Sequence, residues 1–131
     1  MTLQELLIES VLEEKYGNSE GLVELLNKLD EIKKYFNEDV KKLELDKVKK
    51  IINTFLNNYI KLDVSKMKIS DILAFINKIK KFLEKKINDY FSLKVIELDR
   101  IEKLITMLNK LIKYLEDIEK REKLKYAGGE I

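Results

Sequence analysis

The sequence predicts an all-α fold, and three observations carry that reading. The 131 residues include no Pro and only four Gly, whereas an all-β chain needs turn residues about every 8 to 12 positions. Apolar residues recur at spacings of three and four along nearly the whole chain, which is the period of a helix that buries one face. The length suits a single domain, which at this size buries roughly two thirds of its unfolded surface and is held by a hydrophobic core alone.

The elements follow in order. Thr2-Leu3-Gln4-Glu5 has the spacing of a capping box, in which a hydroxyl and a carboxylate satisfy two orphan backbone donors, so a helix is expected from Leu3. Leu3, Leu6, Leu7, Val11 and Leu12 are assigned to its apolar face, and Gly17 supplies its stop. Residues 1–18 therefore read as a short amphipathic arm. Ser19 is the expected cap of a second helix, with Leu22, Leu25, Leu26, Leu29, Ile32, Tyr35 and Phe36 as its stripe. Val40 and Leu43 roughly continue that stripe, and a break is placed near Leu45-Asp46.

With Asp46 as cap, Val48, Ile51, Ile52, Phe55, Leu56, Tyr59 and Leu62 give the most regular 3.6 period in the chain. Residues 63–69 show no stripe and read as the longest connection. Ser70 is the expected cap of a fourth helix whose stripe is Ile72, Leu73, Phe75, Ile76, Ile79, Phe82, Leu83, Ile87 and Tyr90. Ser92 and Asp99 both qualify as caps of the last helix, and Asp99-Arg100-Ile101-Glu102 again has capping-box spacing. Its seam is Ile101, Leu104, Ile105, Leu108, Leu111, Ile112, Leu115 and Ile118, with an end expected near Lys125. The organisation expected is an arm (residues 1–18), an antiparallel four-helix bundle (residues 19–126) and a disordered tail (residues 127–131), with roughly three quarters of the chain helical.

The composition excludes most chemistry. Without His or Cys the chain cannot make a usual zinc site, a haem-His site, a thiol nucleophile, a disulfide or a Ser-His-Asp triad. Gly17, Gly21, Gly128 and Gly129 build no phosphate-binding loop. Glu13-Glu14 and Glu116-Asp117-Glu119 are close in sequence, yet neighbours one apart on a helix point in different directions and read as solvated faces. No catalytic residue, metal or cofactor is expected. No charged leader followed by an apolar run opens the chain, and no apolar stretch approaches the ~18 residues a membrane span needs, so a protein of a cell interior, or packaged there, is expected.

Lys and Arg number 26 against 24 Asp and Glu, a net charge of +2, too balanced for a dedicated nucleic-acid binder. The charges are nonetheless segregated. Residues 1–20 hold Glu5, Glu9, Glu13, Glu14 and Glu20 against Lys15, while residues 66–86 hold seven Lys against Asp71 and Glu84. An acidic arm and a basic middle attract each other, within one molecule or between neighbours. Lys78, Lys81 and Lys85 fall along one side of the fourth helix, away from Ile79 and Leu83, and are the candidate nucleic-acid contacts. Lys41, Lys42, Lys47, Lys49 and Lys50 form a second basic group. The bland alternative is that both merely keep a helix face soluble. Leu3, Leu6, Leu7 and Val11 are the candidate self-association residues, on the reading that the arm docks on a neighbouring subunit. Packing of the arm on its own bundle is the alternative.

Lys and Glu enrichment without Cys matches hyperthermophile proteins, although an AT-rich genome yields the same bias. From the Leu3-Leu6-Leu7 stretch to the Leu104-Leu108-Leu111-Leu115 seam, a chain of this length made almost wholly of Leu/Ile/Lys/Glu helix resembles the small all-helical coat proteins of spindle-shaped, two-tailed viruses of hyperthermophilic archaea. The resemblance implies a four-helix bundle that builds a virion shell by self-association, with itself and other virion proteins as partners, located in the virion or otherwise in the host cytoplasm. The small helical subunits of archaeal CRISPR effector complexes share the same texture. They give the alternative function, a nucleic-acid-binding accessory or ribonucleoprotein subunit.

Overall fold

A computed structural model describes residues 3–35, 45–55, 66–88 and 95–129, which form five helices with no strand among the described residues. These are α1 (Leu3–Tyr16), α2 (Ser19–Tyr35), α3 (Leu45–Phe55), α4 (Ile69–Asn88) and α5 (Val95–Gly129). Thr2, Phe36, Val40, Leu43, Leu56, Tyr59, Leu62, Tyr90 and Ser92, assigned above to caps or stripes, lie outside the described residues.

The stripes do the packing that their spacing implies. Leu25, Leu26, Leu29 and Ile32 of α2, Val48 and Ile52 of α3, Ile72, Ile76, Ile79 and Leu83 of α4, and Ile101, Leu104, Leu108, Leu111 and Leu115 of α5 all enter one continuous core. Ile87, Ile105 and Ile112 pack against its edge, half-buried.

The starts of the helices differ from the expected caps. Asn18, not Ser19, caps α2: its Oδ1 accepts the Gly21 amide at 2.7 Å, and its carbonyl accepts the Leu22 amide at 2.9 Å. Both residues are good caps, and the two-residue link from Tyr16 places Asn18 where its side chain reaches the third helical amide. Ser70 does not cap α4, which begins one residue earlier. The Lys68 carbonyl accepts the Asp71 and Ile72 amides, and Asp71 Oδ2 accepts the Lys68 amide at 2.9 Å. Asp71 thus makes the reaching-back half of a capping box. Asp46 lies in the first turn of α3 rather than before it.

No cap acts at Asp99, which is inside α5 and pairs with Lys103 one turn on, at 3.0 Å. The helix runs unbroken for 35 residues, or about 52 Å at 1.5 Å per residue. It is helical to Gly129, so the expected tail is helix at Ala127, Gly128 and Gly129. Leu98 before the Asp99 box is half-buried and Ile101 and Leu104 after it are buried at spacings of three, so one packed face runs through the box and keeps it helical.

α4 packs most extensively on α5, and the two are antiparallel: Ile69 and Ser70 at the start of α4, with Met67 and Lys68 just before it, share a cleft with Glu119, Glu122 and Lys123. α2 reaches α5 through Arg100, whose guanidinium donates to Asp30 Oδ2 and, at 2.8 Å, to Asn27 Oδ1. α1 packs on both α2 and α4. Its last turn approaches α2 closely at Gly21, where an added Cβ would strike the Lys15 carbonyl oxygen and sit 2.8 Å from Tyr16 Cα. Gly21→Ala must therefore push two backbones apart, and chemical denaturation is expected to show a larger loss than for Asn18→Ala, which removes a cap worth ~1 kcal/mol.

Candidate functional site

The strongest concentration of charge lies where α1 crosses the basic side of α4. Glu5, Glu9 and Glu13 recur every four residues on one edge of α1, and Lys78, Lys81 and Lys85 recur at three and four on α4. The helices run parallel here, since contacts ascend together along both. Lys78 Nζ lies 2.6 Å from Glu9 Oε1 and 3.8 Å from Glu5 Oε2, Lys85 Nζ lies 2.9 Å from Glu13 Oε1, and Lys86 Nζ donates to the Gly17 carbonyl at 3.0 Å. Four residues of α1 rise about 6 Å while seven of α4 rise about 10.5 Å. The long lysine stems take up the difference.

These pairs are not equivalent. Lys78 is only 8% exposed, so its ammonium has left bulk water and depends on the two carboxylates. Lys85 is open to solvent. The hydrogen bond that Lys85 donates to Glu13, reinforced by the carboxylate's charge, raises the Lys85 pKa above the ordinary lysine value. The sign follows: the Lys85–Glu13 pair contributes at neutral pH and is lost as pH rises through that raised value, and solvent screening keeps the contribution small. Lys78→Ala is expected to cost roughly 1–3 kcal/mol, as for loss of a charged hydrogen bond at a buried site. Lys85→Ala should leave the melting temperature nearly unchanged, and thermal melts of the two variants side by side check the contrast.

Between α1 and α4 opens a groove of about 280 Å³, lined by Glu9, Leu12, Glu13, Lys78, Lys81, Phe82 and Lys85. Leu12 and Phe82 supply its apolar surface. Lys81 is exposed and has no ion pair or hydrogen bond among the described residues.

Two sets of expected site residues are thereby redistributed. Of the nucleic-acid candidates, Lys81 stays open, Lys85 is exposed but paired with Glu13, and Lys78 is buried under α1, which overturns its assignment to a solvent face. Of the self-association candidates, Val11 is 5% exposed and belongs to the core, whereas Leu6 and Leu7 are 50% and 44% exposed. Leu3 is the first residue of α1. The buried face of α1 is Ile8, Val11, Leu12 and Tyr16, so the arm packs on its own chain. Ile8 and Tyr16 went unassigned in the sequence, though the 8-12-16 spacing was there to be read.

Tyr16 is fully buried, and its hydroxyl accepts Lys28 Nζ at 3.2 Å; the same ammonium donates to the Thr54 carbonyl at 3.1 Å. One lysine thus ties the end of α1 to α2 and α3. Among the described residues no group of three or more Asp or Glu converges to hold a metal ion, and no helix is long and apolar enough to cross a membrane.

No family model, curated protein or solved structure matches this chain.

Proposed function

We propose that the protein is a non-enzymatic structural subunit that acts by self-assembly, with α2–α5 forming an antiparallel four-helix bundle and α1 added to its side. The observation that carries this reading is the division of labour on α1. One edge of the helix and its buried face are satisfied within the chain by α4 and the core, yet Leu6 and Leu7 stay in water on the remaining side. Adjacent exposed leucines on a secured helix mark a contact surface better than isolated ones do. The resemblance to coat proteins of archaeal spindle-shaped viruses supplies the setting, a virion shell with further copies and other virion proteins as partners.

Against the nucleic-acid reading, the basic stripe is largely occupied: Lys78 and Lys85 face carboxylates of the same chain, and a polyanion there would have to compete with them. Light scattering against concentration, with and without DNA, tests the choice. Self-assembly predicts a mass that rises with concentration and is indifferent to DNA. A particle that stays monomeric alone and grows only with DNA at low salt would overturn it.

A further inference from the structure

We propose that the outer side of α1 is a two-fold contact surface on which a second copy of this chain docks antiparallel, with the two Ser10 residues at the axis. The proposal rests on the self-assembly reading above and specifies its contact.

At 100° per residue, the side of α1 opposite Ile8, Val11 and Leu12 carries Leu6, Ser10, Glu13 and Glu14, with Leu7 on its flank next to Val11. All five are exposed. They are ordered along the helix, with the leucines one turn before Ser10 and the carboxylates one turn after it. The groove floored by Leu12 and Phe82 also opens after Ser10, on the edge that Leu6 shares with Glu9 and Glu13 at spacings of three and seven. The surface is thus self-complementary. A two-fold axis across α1 at Ser10 sets the turn before it opposite the turn after it and keeps each edge facing the same edge of the other copy, so Leu6 of one copy lies over the Glu13 stem and the groove mouth of the other. The same operation buries the second Leu6, as an isologous interface requires. Ser10 is the smallest residue on this side, which lets the helix axes approach to the 8–10 Å typical of packed helices.

Charge selects this occupant over others. Among the described residues Lys81 has no partner of its own, and it stands between Lys78 and Lys85, each held by a carboxylate. The docked copy brings its Glu9, whose side chain is 43% exposed, to the edge where Lys81 lies, and symmetry makes the pair twice. A nucleic acid or an anionic lipid surface would instead meet the exposed Glu13 and Glu14 beside the same groove. The area is that of one short helix side, so the contact is weak and concentration-dependent by itself.

The chain has no cysteine, which permits a direct test. Ser10→Cys is expected to form a disulfide-linked dimer under mild oxidation on the order of tenfold or more faster than Lys120→Cys, another exposed site, because docking raises the local thiol concentration. Adding Leu6→Glu to Ser10→Cys should abolish that preference while circular dichroism stays helical. If Ser10→Cys and Lys120→Cys cross-link equally slowly, or the preference survives Leu6→Glu, this contact is wrong. Should the protein still grow in mass with concentration, the assembly reading stands and another surface must carry it; a chain that stays monomeric as well ends both.

Discussion

Deleting residues 1–18 is expected to unfold the chain rather than trim an arm from it. Ile8, Val11, Leu12 and Tyr16 are each no more than 5% exposed, and burying such a side chain is worth ~1.5–3 kcal/mol. Four of them together rival the whole stability of an ordinary domain, about 5–15 kcal/mol. The loss is compounded because Lys78 would lose Glu5 and Glu9, and Lys28 would lose the Tyr16 hydroxyl to which it donates. Far-UV circular dichroism and urea denaturation of the truncated chain should show lost helix or a transition shifted far toward zero denaturant. This follows the alternative reading of residues 1–18, an arm packed on its own bundle, rather than one docked on a neighbouring subunit.

The second large effect belongs to the seam of α5. Leu108 is completely buried between Leu104 and Leu111, and cutting it back to Ala removes contacts that the neighbouring helices only partly restore, at ~2–5 kcal/mol. For a chain of this size that lowers the melting temperature by on the order of 10 °C. Leu124→Ala, on the same helix at 70% exposure, is expected to melt with the unaltered protein. A Leu108→Ala loss below about 1 kcal/mol would remove that residue from the core.

Much of this was legible because α2, α4 and α5 carry apolar stripes several turns long, so one misplaced residue cannot rotate the face. The stripe from Ile72 to Leu83 is buried as its spacing predicts, as are Ile101, Leu104, Leu108, Leu111 and Leu115, with Ile105 and Ile112 half-buried at the edge. In α1 the pattern is ambiguous. Leu6-Leu7-Ile8 and Val11-Leu12 wrap much of a short helix, and either Leu3-Leu7-Val11 or Ile8-Leu12-Tyr16 can serve as the stripe. What decides between them is the pairing of Glu9 and Glu13 with Lys78 and Lys85 about 70 residues away. No periodicity within α1 records that. The caps failed for a local reason: Asn18 beside Ser19, and Asp71 beside Ser70, offer competing oxygens, and the route of the incoming chain selects one. The basic stripe was visible as a row of Lys, but its neutralisation by a distant acidic helix was visible only as an attraction between two segments, with no statement of which lysine would be covered.

The central claim is that α1 is part of the folded unit, latched by charge on α4 and by its own core residues, and that only its outer side is available to a partner. Native-state hydrogen exchange at low protein concentration, where copies do not meet, tests it most directly. The account predicts that the amides of residues 8–16 exchange through the same global opening as those of residues 76–83 in α4, with protection rising together when the protein is stabilised. Exchange of the α1 amides orders of magnitude faster than those of α4, in a chain that is otherwise folded, would contradict it and restore α1 as a free arm.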